Sequence, residues 1–135
     1  MEKLKKGELV SMVDAVYEDV EVPEWDHIVT VRSLTATERD LFESSLVAGE
    51  GKNRAANMVN IRAKLVAMCM VDETGGRYYP DTKAGIAELG SRNGAAMDRI
   101  FTVCQRLGGF STKDIEDIEK NSVPDLIESS PSTYA

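Results

Sequence analysis

Between Tyr17 and Leu46 the apolar residues change period. In YEDVEVP, Val20 and Val22 fall on one side of an extended chain, Asp19 and Glu21 on the other. That is the period-2 signature of a half-buried strand. HIVTVRSL repeats it, with Ile28, Thr30 and Arg32 alternating against Val29 and Val31. Pro23 ends the first run, and PEWDH reads as a turn between the two. The pair predicts a small antiparallel hairpin with Trp25 near its connection. At TATERD the pattern becomes helical. Thr35, followed three residues later by Glu38, is a capping box. Leu41, Phe42 and Leu46 then make an apolar stripe.

The remaining segments are helical in pattern. AGEGKN stops the first helix, with Gly49 and Gly51 as breakers, and Asn53 is a cap for the next. In RAANMVNIRAKLVAMCMV, Met58, Ile61, Leu65 and Met68 recur at helical spacing, widened by Val59, Val66 and Cys69. So broad a stripe predicts the most buried helix of the domain. DTKAGIAELG predicts a short helix stopped by Gly90. Ser91 is placed to cap the next one, with Met97, Ile100, Phe101, Cys104 and Leu107 on one face. Ser111 and Asp114 open a last short helix, STKDIEDIEKN. Strands at one end and about five helices after them predict an α+β fold, mainly α-helical. Residues 1–121 are expected to form a single domain. Residues 122–135, SVPDLIESSPSTYA, have little to bury and are expected to form a flexible C-terminal tail. The opening segment ELVSMVDAVY fits either a short helix or a strand. There is no internal repeat.

Charge narrows the class of partner. The chain carries a net charge of −7, with a pI of about 4.8. The acid is concentrated at the ends: residues 1–28 hold eight acidic and three basic side chains, and residues 109–135 hold six and two. Residues 29–108 hold nine acidic and eleven basic side chains. A general nucleic-acid binder needs a basic surface, so nucleic acid is not an expected partner. Asp14 interrupts the only apolar patch near the N-terminus, so no secretory leader is expected. The longest apolar run, LVAMCMV, is far too short to span a membrane. Cys69 and Cys104 belong to no C-x-x-C pair, which suits a cytosolic protein with reduced thiols.

Candidate chemistry is thin. CMVDETGGRYYPDT has two acids, two glycines and a proline between helices. An EF-hand loop starting at Asp72 would put ligands or glycine where Thr74, Gly76, Arg77 and Lys83 stand, and all four fail. A phosphate loop needs spaced glycines followed by Gly-Lys, which are absent from this stretch. A structural hairpin remains, with Gly75–Gly76 turning tightly between the arms MVD and RYY, Pro80 ending the second arm and Asp81 capping the following helix. His27, the one histidine, lies in a turn with no Ser or Cys nucleophile in a recognisable motif. The acids of DIEDIE fit a solvated helix face. Six methionines, four of them on the two long helical patterns, fit core filler, although a soft binding surface uses the same property. Trp25 either closes one end of the core or stands as an exposed anchor for a partner. No catalytic residue, cofactor or metal is expected, and the chain is not expected to be an enzyme.

The order of signatures carries a resemblance. VEVPEW, then VTVRSLTATERD, an Ala- and Met-rich helix, VDETGGRYY, two more helices and IEKNS are similar to the tail assembly chaperones of long-tailed bacteriophages, from about Val20 to Ser122. The similarity lies in the succession of elements rather than in an invariant motif. It implies a non-structural late protein of virion assembly in the host bacterial cytoplasm, absent from the mature virion. It implies binding to the phage tape measure protein, kept soluble while the tail tube assembles. It also implies a longer product made by programmed frameshift, whose added domain recruits tail tube protein. The present chain looks like the short, unshifted form, and the family reading allows a homo-oligomer. Glu119, Lys120 and Asn121 can be encoded by a slippery heptamer, and the frameshift that the resemblance implies is expected there. For tape measure binding the exposed members of Trp25, Phe42, Met58 and Met68 are the candidates, in a helix-in-groove contact.

Two other readings stay open. The segment 81–107 holds two helices joined at Gly90, compatible with a helix-turn-helix regulator presenting Arg92, Asn93, Arg99, Gln105 and Arg106. A structural head–tail connector retained in the virion is the other.

Overall fold

A computed structural model of the chain describes residues 1–47 and 59–110. The fold is α+β: four helices and a three-stranded antiparallel sheet among the described residues. The helix expected over Ser111–Asn121 lies outside them, as do Met58, Asn53 and the 122–135 tail.

The expected hairpin forms. Strand β1 (Tyr17–Val22) pairs antiparallel with β2 (His27–Arg32), from Tyr17 opposite Arg32 to Val22 opposite His27. The alternation sets the faces: Val20, Val22, Val29 and Val31 turn into the core, while Tyr17 and Ile28 stay exposed. A single 3₁₀ turn, Pro23–Trp25, makes the connection, and Asp26 takes the left-handed conformation (φ 53°) that closes it. Ahead of β1 the chain forms neither α-helix nor strand. One 3₁₀ turn, Leu9–Ser11, interrupts it, and Leu9, Val10 and Val13 are exposed.

Helix α1 (Ala36–Val47) starts at the predicted capping box. The Thr35 hydroxyl accepts from the Glu38 amide at 3.1 Å, and the Glu38 carboxylate accepts from the Thr35 amide at 2.9 Å. Phe42 and Leu46 are buried, but Leu41 is 61% exposed, so the stripe is narrower than the spacing implied.

Helix α2 (Ile61–Cys69) is the buried one, with Ile61, Ala63, Leu65, Val66, Ala67 and Cys69 inside. It ends at Cys69. Met70 turns extended, and Met70–Val71 form β3, pairing antiparallel with β2 at Val31 and Thr30. The gain is satisfaction of backbone groups on the far edge of β2, which a continuing helix would leave unpaired. The sheet order is β1-β2-β3.

The Gly75–Gly76 turn forms as expected. Gly75 sits at φ +86°, and the Asp72 amide donates to the Gly76 carbonyl at 2.8 Å. Asp81 then caps α3 (Thr82–Gly90) by accepting from the Lys83 amide at 3.0 Å. Helix α4 (Gly94–Leu107) is capped by Asn93, which accepts from the Ala96 amide at 3.0 Å. Ser91 is not its cap; the Ser91 hydroxyl donates to the Glu88 carbonyl of the preceding helix. Both residue types suit the position, and the three-residue link shifts the start to the second.

Helix α4 lays Met97, Ile100, Phe101 and Cys104 on β1 and β2, and α2 packs against α3 and α4. Phe110 closes the core after the Gly108–Gly109 exit, its ring 5.4 Å from Phe42 in an edge contact. Cys69 and Cys104, distant in sequence, meet between α2 and α4 as free thiols. Their hydrogen bond, with burial behind it, pushes the Cys104 thiol upward and keeps it protonated.

Gly85 lets the Tyr79 ring lie against α3. A Cβ there would fall 2.7 Å from Tyr79 Cγ. Alanine at a helix interior ordinarily gains up to about 1 kcal/mol over glycine. Here overpacking of about 1–3 kcal/mol opposes it. Gly85→Ala is therefore expected to lower the urea midpoint, and a raised midpoint would show that the ring moves freely aside.

Candidate functional site

Two clefts flank α3. The first, about 270 Å³, is lined by Glu38, Leu41, Phe42 and Ser45 of α1, Lys64 and Met68 of α2, Arg77 of the turn, and Thr82 and Ile86 of α3. Residues 38, 41, 42 and 45 share one helical face at i, i+3, i+4 and i+7, so α1 supplies a continuous wall. Leu41 is exposed at its edge, Met68 and Ile86 are half-buried along it, and Phe42 (1% exposed) forms the floor. The result is an apolar trough between helices with charges at its rim.

The charged end is built around Glu38. Its carboxylate takes both Arg32 guanidinium nitrogens, at 3.1 and 2.8 Å, and Arg77 at 3.1 Å. One carboxylate thus ties the end of β2, the start of α1 and the glycine turn together. The Arg32 bond first, then the Thr35 amide and both positive charges, hold the Glu38 carboxyl down to about 2 against the opposing effect of burial. Two bases and one acid line this cleft, and Arg32 adds a further positive charge behind Glu38. Its electrostatic balance is positive, although the chain as a whole is acidic.

The second cleft, about 320 Å³, lies on the other flank of α3, lined by Trp25, His27, Ile28, Val29, Met70, Tyr78, Tyr79, Glu88, Leu89 and Arg92. Trp25 is half-buried against the core, so its ring closes one end of the domain and also walls this cleft. His27 is exposed, and its Nδ1–H donates to the Trp25 carbonyl at 2.7 Å. The Tyr79 hydroxyl donates to Glu88 at 2.8 Å; burial first, then that carboxylate, raises the phenol well above its usual range.

The four anchor candidates therefore do not form one site. Phe42 and Met68 share the first cleft, Trp25 belongs to the second, and Met58 lies outside the described residues. Phe42 is core: its ring is floor, not a projecting anchor. Leu41 is the exposed apolar group beside it, and Ile86 is half-buried there. Sequence reasoning placed Leu41 in the core stripe and gave Ile86 no role. The frameshift position Glu119, Lys120 and Asn121 also lies outside the described residues.

The stretch that suggested a metal loop is a self-satisfied turn. Asp72 Oδ1 accepts from the Thr74 hydroxyl at 2.6 Å, the Thr74 amide at 2.9 Å and the Gly76 amide at 3.1 Å. The Thr74 hydroxyl is the first cause that lowers the Asp72 carboxyl. Among the described residues no group of three His, Cys, Asp or Glu side chains is placed to hold a metal ion. No described helix is long and apolar enough to cross a membrane. On the segment resembling helix-turn-helix, Asn93 is spent on the cap, Arg99 bonds Glu24 at 3.1 Å and Arg106 bonds Glu18 at 2.6 Å. These arginines brace α4 against the hairpin. No protein-family model matches the chain, and no curated protein or solved structure matches it.

Proposed function

We propose that this chain is a phage tail assembly chaperone, whose first cleft receives an amphipathic helix of the tape measure protein. The observation that carries the reading is the trough between α1, α2 and α3, apolar inside and charged at its rim. Its length along one helix face suits anchors at i, i+3, i+4 and i+7 of a partner helix. Soft Met68 and flexible rim groups adapt to successive sites on a long client. The succession of sequence elements shared with the tail chaperones supplies the client's identity. In this reading a longer frameshifted product brings tail tube protein to the same complex, in the host cytoplasm, and neither product remains in the virion.

Co-expression with the tape measure protein encoded by the same genome tests this. The chain should keep the client in the soluble fraction and co-purify with it. Leu41→Asp places a charge at the exposed margin of the trough without touching the core. It should weaken binding at least about tenfold, or ~1.4 kcal/mol, while the far-ultraviolet circular dichroism stays unchanged. Ile28→Asp, at the second cleft, is the control. Equal client solubility with wild type and Leu41→Asp would remove the trough from the mechanism. An insoluble client in the presence of wild-type chain would remove the chaperone reading itself.

A further inference from the structure

Seven of the twelve large apolar side chains that stand exposed among the described residues fall within residues 1–16, ahead of β1. Leu9, Val10, Met12 and Val13 cluster at the centre of this arm. Single exposed apolar groups are ordinary, but a run of them in one short segment marks a contact surface. The arm does not use that surface within its own chain, since every residue from Met1 to Val16 is exposed. From Lys5 to Met12 its hydrogen bonds close on itself. The Glu8 carboxylate accepts from the Lys5 amide at 2.6 Å, and the Met12 amide donates to the Leu9 carbonyl at 3.1 Å. The arm joins the domain at Val16, whose amide donates to the Ser33 hydroxyl at 2.9 Å and whose carbonyl accepts from the Ser33 amide at 2.8 Å.

The charges along the arm identify what covers it. Lys3, Lys5 and Lys6 stand at one end with a single acid, Glu2. Asp14, Glu18, Asp19 and Glu21 stand at the other, with no base in residues 7–21. Arg106 holds Glu18, and Thr30 holds Asp19. Among the described residues Lys3, Lys5, Lys6, Asp14 and Glu21 take part in no ion pair. Turned end for end, this stretch is its own complement: base meets acid at both ends, and apolar meets apolar in the middle. A parallel pairing would set like charge on like. We infer that the arm, residues 1–16, pairs antiparallel with the same arm of a second copy, the lysines of each beside Asp14 and Glu21 of the other. Such a contact is isologous, so it closes at two copies. The apolar middle takes both exposed clusters out of water, and the charged ends fix the direction.

Sedimentation equilibrium of the full chain, without client, tests this. The chain should exchange between monomer and dimer with concentration. Val10→Asp together with Val13→Asp changes side chains that are 91% and 90% exposed in the single chain. The pair should weaken the dimer at least about tenfold and leave the far-ultraviolet circular dichroism unchanged. Lys3→Glu, Lys5→Glu and Lys6→Glu together should weaken it by a similar factor. Adding Asp14→Lys and Glu21→Lys to that same chain should recover a large part of the loss, because the ends again carry opposite charge. A monomer at every concentration would overturn the proposal, as would a dimer indifferent to the two valine changes. A dimer that the lysine reversal leaves intact, or that the second reversal fails to recover, would overturn the antiparallel pairing. The contact uses no residue of the trough and the measurement no client, so these outcomes are independent of the co-expression result.

Discussion

Leu65→Ala should unfold this domain more readily than any single surface change, by about 3–4 kcal/mol at neutral pH. Leu65 is fully buried on α2, and that helix packs against α1, α3, α4 and β2. Removing its isobutyl end loses transfer free energy and leaves a void lined by neighbours from several elements. Those neighbours are held by separate helices and a strand, so the site has little freedom to collapse, and the cost falls in the upper part of the usual range. For a domain of this size the melting temperature should drop by more than about 10 °C. Leu41→Ala, at an exposed leucine on α1, should change stability by less than about 0.5 kcal/mol. Chemical denaturation of both variants checks the pair. Equal losses would mean that α2 is not the centre of the core.

Glu38→Ala has the next largest expected effect, about 2–3 kcal/mol, from one partly covered carboxylate. Three losses coincide. The capping box opens, at a cost of about 1 kcal/mol. Arg32 and Arg77, both largely covered, lose their shared counter-charge. The tie between β2, α1 and the glycine turn is cut. Glu38→Gln separates these contributions, because glutamine keeps the capping geometry and removes only the charge. It should cost less than alanine.

The pH dependence has a definite sign. The folded carboxyl is held at about 2, below its ordinary 4.5. Protons therefore bind the unfolded chain first, and the stabilisation is complete above pH 4.5. It fades as pH falls from there through about 2. Discounted for solvent screening, its size is about 1–2 kcal/mol. The stability gap between wild type and Glu38→Gln should be widest at neutral pH and shrink across that acid window. A gap that is constant with pH would mean that the arginines do not hold the carboxylate in solution.

Much of this fold is written in local patterns. The alternation in Tyr17–Arg32 dictates both strands and their faces, and the Thr35–Glu38 spacing dictates where α1 begins. The stripe from Met97 to Cys104 dictates which side of α4 meets the sheet. These are legible because each depends on residues within one or two turns of each other. Strand β3 is legible only in part: the glycine turn implies an extended arm at Met70–Asp72, but not its pairing with β2. Met70 and Val71 also continue an apolar helical run, and their pairing with β2 joins residues about forty positions apart. The trough is harder still. Leu41, Met68 and Ile86 come from three helices, and each fits a core stripe on its own helix. Whether such a residue ends at the floor, at the margin or in solvent depends on how far the helices splay, which no single segment encodes. Glu38 shows both cases at once: its partners Thr35 and Arg32 are near in sequence, while Arg77 lies 39 positions away.

The sheet order β1-β2-β3 leaves β1 with one side of its backbone unpaired by any described strand. Such an edge is a template for another strand, and an unprotected one invites chains to stack. Here it carries Glu18, Asp19 and Glu21 within four positions. Thr30 holds Asp19, and Arg106 holds Glu18. A second copy approaching edge to edge would set acid against acid, and a misfolded neighbour would have to desolvate them. Glu18 falls on one face of the sheet, Asp19 and Glu21 on the other, so that edge is self-avoiding from both sides.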